Sequence, residues 1–209
     1  MIEITSITEV KNHLHGLQAV IFDLDDTLYG EKEYVRSGYR AIADTLPNVE
    51  RMEEKLWQAF EQKKSAIDAV LNAEGIYTDE LKQQCLSVYR LHQPDIQFYE
   101  GAKELLCQLR SDSYKLGIIT DGRPEGQRAK IKALGLNELV DHIIVTDELG
   151  GVEYRKPNKV AFERMKKLLD VPFEKMCYVG DNIKKDFVAP EHLGMRSIWF
   201  KNSDGLYCG

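Results

Sequence analysis

The sequence predicts an α/β fold, a doubly wound parallel sheet with helices on both faces, interrupted once by an all-helical insertion. Five short runs rich in Val, Ile and Phe are almost continuously apolar. That pattern suits strands covered on both sides, whereas a half-exposed strand alternates. Amphipathic stretches of helical length separate the runs, and such strand–helix alternation implies right-handed crossovers between parallel neighbours. One gap breaks the alternation, because nothing strand-like lies between Leu28 and about Phe98.

In chain order, the first run is "LQAVIFDLD" at 17–25, ending in carboxylates. The gap follows, over 31–97. Within it "RMEEKLWQAFEQKKSAIDAVL" sets Met52, Leu56, Phe60, Ile67 and Val70 at helical spacing, and "TDELKQQCLSVYRL" does so with Leu81, Cys85 and Val88. "GAKELLCQLRS" returns the chain to the sheet as a helix. "KLGIITDG" at 115–122 is the second strand, and "PEGQRAKIKALGL" the next helix, with Pro124 near its start and Gly135 near its end. "HIIVTDE" at 142–148, the helix "NKVAFERMKKLLD", "MCYVGDN" at 176–182, the helix "IKKDFVAPEHLG" and "RSIWF" at 196–200 complete the pattern. The expected domains are a core from 1–30 and 98–209 and an insertion from 31–97.

Composition narrows the function classes. A net charge of −6 disfavours nonspecific nucleic-acid binding, which needs a surplus of Lys and Arg facing phosphates. No run approaches the length of a membrane span, and the start, with Glu3, lacks the basic and apolar regions of a secretory signal. Cys85, Cys107, Cys177 and Cys208 are scattered without CxxC spacing, so reduced thiols and a cytoplasmic setting are expected. His13 and His15 lack further nearby ligands for a metal. GxGxxG and Walker loops are absent, and Trp57, Phe60 and Trp199 read as core residues.

The chemistry concentrates at the strand ends. In open parallel sheets ligands bind outside the carboxyl ends of the strands. Asp23 and Asp25 end the first strand, Thr120 and Asp121 the second, Asp147 the third, and Asp181 and Asn182 the fourth. Turn preference explains Asp147 and Gly122, but not two Asp separated by one residue at the end of a buried strand. Alternate strand residues point the same way, so Asp23 and Asp25 face one pocket while Leu24 packs oppositely. Desolvated carboxylates are expensive unless a cation answers them. Together with Asp181 they form a hard oxygen site suited to Mg²⁺, which would also admit an anionic phosphate. Thr120 with neighbouring backbone amides at Asp121 and Gly122, and Lys156 in "RKPN", supply phosphate contacts.

Taken in order, "DLDDT", the Thr of "ITDG", the Lys of "RKPN", and "GDN" followed by "KKD" resemble the four motifs of the haloacid dehalogenase-like hydrolase superfamily, over Leu17 to Phe200. The resemblance implies a Rossmann-like three-layer core with a helical cap inserted after the first motif. It implies Asp23 as nucleophile, forming an aspartyl phosphate, and Asp25 as general acid and then base. Thr120 and Lys156 would bind the transferring phosphoryl group. Mg²⁺ would be held by Asp181, the Asp23 side chain and the Asp25 carbonyl, with Asp186 either on the metal through water or holding Lys156. An acid at position 25 implies phosphate-ester chemistry, because carbon–halogen and phosphonate-cleaving members lack it.

The expected function is therefore a Mg²⁺-dependent phosphatase of a small phosphorylated metabolite. A phosphomutase of the same superfamily is the close rival, and a phospho-accepting signalling or binding protein a distant one. Arg36 and Arg40, four apart, either read the leaving group or form a solvated helix face, and Arg123 carries the same two readings. Asp26 reads as a turn residue beside the site. Asp147 and Glu148 read as outer supports or plain turn residues.

Overall fold

The computed structural model describes residues 1–206, so Cys208 lies outside the described residues. Six parallel strands form one sheet: β1 (Ile2–Ile4), β2 (Ala19–Phe22), β3 (Lys115–Thr120), β4 (His142–Val145), β5 (Met176–Gly180) and β6 (Arg196–Phe200), in the order β1-β6-β5-β2-β3-β4. Every residue of β2 is buried, as the unbroken apolar run requires. The α/β parallel-sheet class expected from the sequence is the class found.

The chain divides into two compact units, one of Met1–Glu31 with the chain from Gln97 on, the other Lys32–Ile96. The first holds the whole sheet. Its helices are α5 (Ala102–Ser111), α6 (Pro124–Ala133), α7 (Val160–Leu169) and the short α8 (Val188–His192). Phe162, Met165 and Leu169 of α7 pack on Ile21, Ile119 and Tyr178 of the sheet in one buried cluster. The second unit contains α2 (Met52–Glu61), α3 (Ala66–Ala73), α4 (Asp79–Leu91) and nearly all of α1 (Glu31–Thr45). It has its own core, with Leu56, Ile42, Leu71 and Cys85 at its centre.

Four details depart from the sequence reading. A sixth strand, β1, pairs with β6 through Ile2↔Ile198 and Ile4↔Phe200. Three residues with a Glu in the middle are too short to show periodicity, so the expectation stopped at five strands. A 3₁₀ helix, Ile7–His13, follows it under a capping box of Ser6 and Glu9, and buries Ile7 and Val10. The continuous helical pattern over 51–71 is broken into α2 and α3 at Lys63, whose φ of 57° lets the next residue, Lys64, turn its N–H back to the Ala59 carbonyl at 3.0 Å. Finally, "IKKDF" forms turns, and only Val188–His192 is helical.

Sheet order decides what meets what. β2 lies between β3 and β5, so the residues following it are flanked by the ends of both neighbours, and strands in a sheet are only ~4.8 Å apart. The chain runs from β2 through β3 to β4 on one side and then crosses back to β5 on the other, so the switch point of the sheet lies between β2 and β5.

Candidate active site

Asp23 continues the ladder beyond β2, its N–H donating to the Val179 carbonyl at 2.8 Å. Its side chain is 5% exposed. The Lys156 Nζ, wholly buried, stands 2.7 Å from Asp23 Oδ1 and 2.9 Å from Asp186 Oδ1. It also donates to the Tyr178 hydroxyl at 2.9 Å, while that hydroxyl donates to the Ile119 carbonyl at 3.2 Å. The ammonium thus has three oxygens within 2.9 Å, the Tyr178 hydroxyl through a hydrogen bond and the two carboxylates as ion pairs. Burial alone would disfavour the charged ammonium, but the Asp186 and Asp23 carboxylates outweigh it and hold Lys156 well above the ordinary lysine range.

Asp23, Asp181 and Asp186 each bring one carboxylate oxygen to within 4.8 Å of the others. Burial first, then the neighbouring acids, push Asp181 up to about 8, and burial with Asp186 takes Asp23 to about 7 against the pull of Lys156. Crowded, desolvated carboxylates that prefer a proton are sites where a hard cation is favoured, and oxygen ligands alone suit Mg²⁺ over softer ions. The donor set therefore fits that ion. Asp186 is further fixed by the Asn182 N–H on Oδ2 at 2.9 Å, and the Asp181 carbonyl accepts the Trp199 indole N–H at 2.8 Å.

The close approach of Asp186 explains the glycine at 180. A Cβ there would lie 2.6 Å from Asp186 Oδ2, and that carboxylate is held on both oxygens. Gly180→Ala is expected to cost roughly 1–3 kcal/mol from overpacking and to lower turnover as Asp186 shifts away from Lys156. Thermal melting and initial rates check this, and a variant unchanged in both would show that Asp186 has room to move.

Asp25 faces the same cavity of about 370 Å³, which Glu31, Gln127, Lys130 and Lys185 also line. Its Oδ1 accepts from Lys130 Nζ at 2.6 Å and from the Tyr29 hydroxyl, and its Oδ2 from Gln127 Nε2 at 2.8 Å. Burial works the other way, but Lys130 and these hydrogen bonds hold Asp25 below the usual carboxylate range. Gln127 Nε2 also contacts Thr120 Oγ1 at 2.5 Å. Leu24 is fully buried.

The other residues singled out in the sequence have definite places. Gly122 lines the cavity with φ of 143°. Asp121 is there too, but its carboxylate accepts from Thr146 Oγ1, the Lys156 N–H and Lys185 Nζ, each at 3.0 Å. Arg123 is exposed and absent from the cavity wall, as the residue before Pro124. Arg36 pairs with Glu53 at 3.3 Å and stacks over Trp57, and Arg40 pairs with Glu53 and Asp95, all within the helical unit. Those contacts match the helix-face alternative. Asp147 is bound bidentately by Arg155 at 2.7 Å, and Glu148 by Arg128.

Asp26 has φ of 53° and is buried. Its Oδ1 caps the Glu31 N–H at 2.8 Å, its Oδ2 accepts the Leu206 N–H at 2.7 Å, and its carbonyl accepts Asn202 Nδ2 at 2.8 Å. The loop bearing Asp23 and Asp25 is thus clasped by residues beyond β6.

Sequence reasoning missed Gln127, Lys130, Glu31, Lys185 and Tyr178. One signal was present: Lys130 occupies the buried face of α6 beside Ile131, where helical periodicity calls for an apolar residue, and Gln127 lies three residues before it on that face.

Buried carboxylates and a buried lysine thus meet beside β2 in an open parallel sheet. The chain belongs to the haloacid dehalogenase-like hydrolases, whose family model matches residues 20–200. It is 36% identical over 101 residues to the glyceraldehyde 3-phosphate phosphatase of Pyrococcus abyssi, a match covering 48% of this chain and 41% of that one. The glyceraldehyde 3-phosphate phosphatase of Methanocaldococcus jannaschii is 27% identical over 87% of this chain and 84% of its own. Among solved structures, a HAD-superfamily hydrolase of subfamily IA from Geobacter sulfurreducens superposes with a TM-score of 0.66 at 16% identity, covering 90% of this chain and 89% of that one. This last likeness concerns the fold.

Proposed function

We propose that this hydrolase cleaves the phosphate monoester of a small metabolite, with Mg²⁺, through an aspartyl phosphate on Asp23. The observation that carries the reading is the buried Asp23 carboxylate, paired with Lys156 at 2.7 Å and within 4.8 Å of both Asp181 and Asp186. Family membership and relatives that are phosphatases support the same chemistry.

Asp181 and Asp23 would hold the ion through their side chains, with the Asp25 carbonyl, and Asp186 would restrain Lys156. When bound, the ion would offset the negative charge of the substrate and of the carboxylates around it. Asp23 attacks phosphorus while Asp25 passes a proton to the departing oxygen. Asp25 then takes a proton from the water that releases phosphate from Asp23. Thr120 and the backbone N–H groups about Gly122 bind phosphoryl oxygens. Lys156, bound to both Asp23 and Asp186, favours the ionised form of the nucleophile and orients it. The helical unit, inserted directly after Glu31, is proposed as the cap that selects the leaving group.

A panel of phosphorylated metabolites headed by glyceraldehyde 3-phosphate, assayed for free phosphate with and without Mg²⁺, tests the proposal. Expected is Mg²⁺-dependent release from small monoesters, with Asp23→Asn as the blank. Isomerised sugar phosphate in place of phosphate would make the protein a mutase, and no turnover of any monoester would remove the reading.

A further inference from the structure

We propose that Lys130 is a positioning residue for catalysis, fixing the Asp25 carboxylate so that one of its oxygens serves the leaving group. The inference rests on the phosphatase reading above, in that it takes Asp25 as the acid and base.

Lys130 is 4% exposed on α6, and no salt bridge shorter than its 2.6 Å contact with Asp25 Oδ1 occurs at the cavity. Burying a lysine is costly unless a carboxylate meets it, so a lysine on the core face of a helix implies a task that an apolar residue cannot perform. The two Asp25 oxygens are treated differently. Oδ1 receives both the Lys130 ammonium and the Tyr29 hydroxyl, and so has no lone pair left for a proton in transit. Oδ2 receives only the Gln127 amide and keeps a lone pair. Gln127 reaches Thr120 with the same nitrogen, which ties the acid to the phosphoryl-binding side of the cavity. Lys130 also lies 5.8 Å from the Tyr29 ring centre, so the ammonium is boxed between ring and carboxylate.

Oδ2 therefore carries the proton in both half-reactions. In the first, the Asp23–phosphorus bond forms, the ester P–O bond breaks, and the proton that Oδ2 took from water in the preceding turnover goes to the leaving oxygen. In the second, water adds to phosphorus, its proton goes to Oδ2, and the Asp23–phosphorus bond breaks. Lys130 exchanges no proton with the substrate; it holds Oδ1 so that Oδ2 stays aimed.

A leaving group that departs readily as an anion needs no acid, so the role is read by varying the leaving group. The full chain and Lys130→Met, Lys130→Arg and Asp25→Asn would be assayed with p-nitrophenyl, phenyl and ethyl phosphates. Lys130→Met should lose roughly 10²-fold or more in kcat with ethyl phosphate but under about tenfold with p-nitrophenyl phosphate, with KM little changed, in parallel with Asp25→Asn. Lys130→Arg, which keeps the charge, should recover part of the loss and gives the same selective pattern if the Met variant fails to fold. A loss equal across the series, or confined to KM, would overturn the proposal, the latter making Lys130 a substrate contact. If Asp25→Asn itself shows no leaving-group dependence, the acid assignment fails instead, which is a separate result.

Discussion

Asp23→Asn is expected to abolish turnover, by roughly 10⁴-fold or more, while the protein stays folded. An amide has nearly the shape of a carboxylate, and Lys156 keeps Asp186 and Tyr178 as acceptors, so the fold has little reason to respond. The chemistry has every reason to, because an amide oxygen is too poor a nucleophile to attack phosphorus. Acid-quenched reactions with labelled substrate should trap phosphate on the parent protein and none on the variant. Retention of more than about a hundredth of the parent kcat in purified variant would remove Asp23 from the nucleophile's place.

Lys156→Met should be the most destabilising single substitution at the site, by about 3–5 kcal/mol, since removing one partner of a buried pair leaves charge without compensation. Here two carboxylates, Asp23 and Asp186, would be stranded together, with Asp181 close by. Urea unfolding measures the change, and millimolar Mg²⁺ should restore part of it, because an ion that binds only the folded acidic cluster shifts the equilibrium toward it. A loss below about 1 kcal/mol would mean that the two acids take up protons or water at little cost.

Much of this was legible in the sequence because strand order and strand-end chemistry are local signals. "VIFD" announces a buried strand with a carboxylate at its tip, and the same grammar recurs at Thr120 and Asp181. Parallel pairing then makes neighbours of those tips. What stayed hidden depends on side chains arriving from other elements. Lys130 and Gln127 look like the polar half of an amphipathic helix until α6 is docked, and Tyr178 looks like one more core aromatic until its hydroxyl meets Lys156. For Arg36 and Arg40 the sequence offered two readings, a leaving-group contact or a solvated helix face, and only the folded helices show that Glu53 and Asp95 supply counter-charge to them. The strand at Ile2–Ile4 was invisible because its register is set wholly by β6, near the other end of the chain.

The clasp on Asp26 has a corollary for truncation. Its partners Asn202 and Leu206 stand 176 and 180 positions downstream, so any chain lacking them leaves the turn after β2 without these two fastenings.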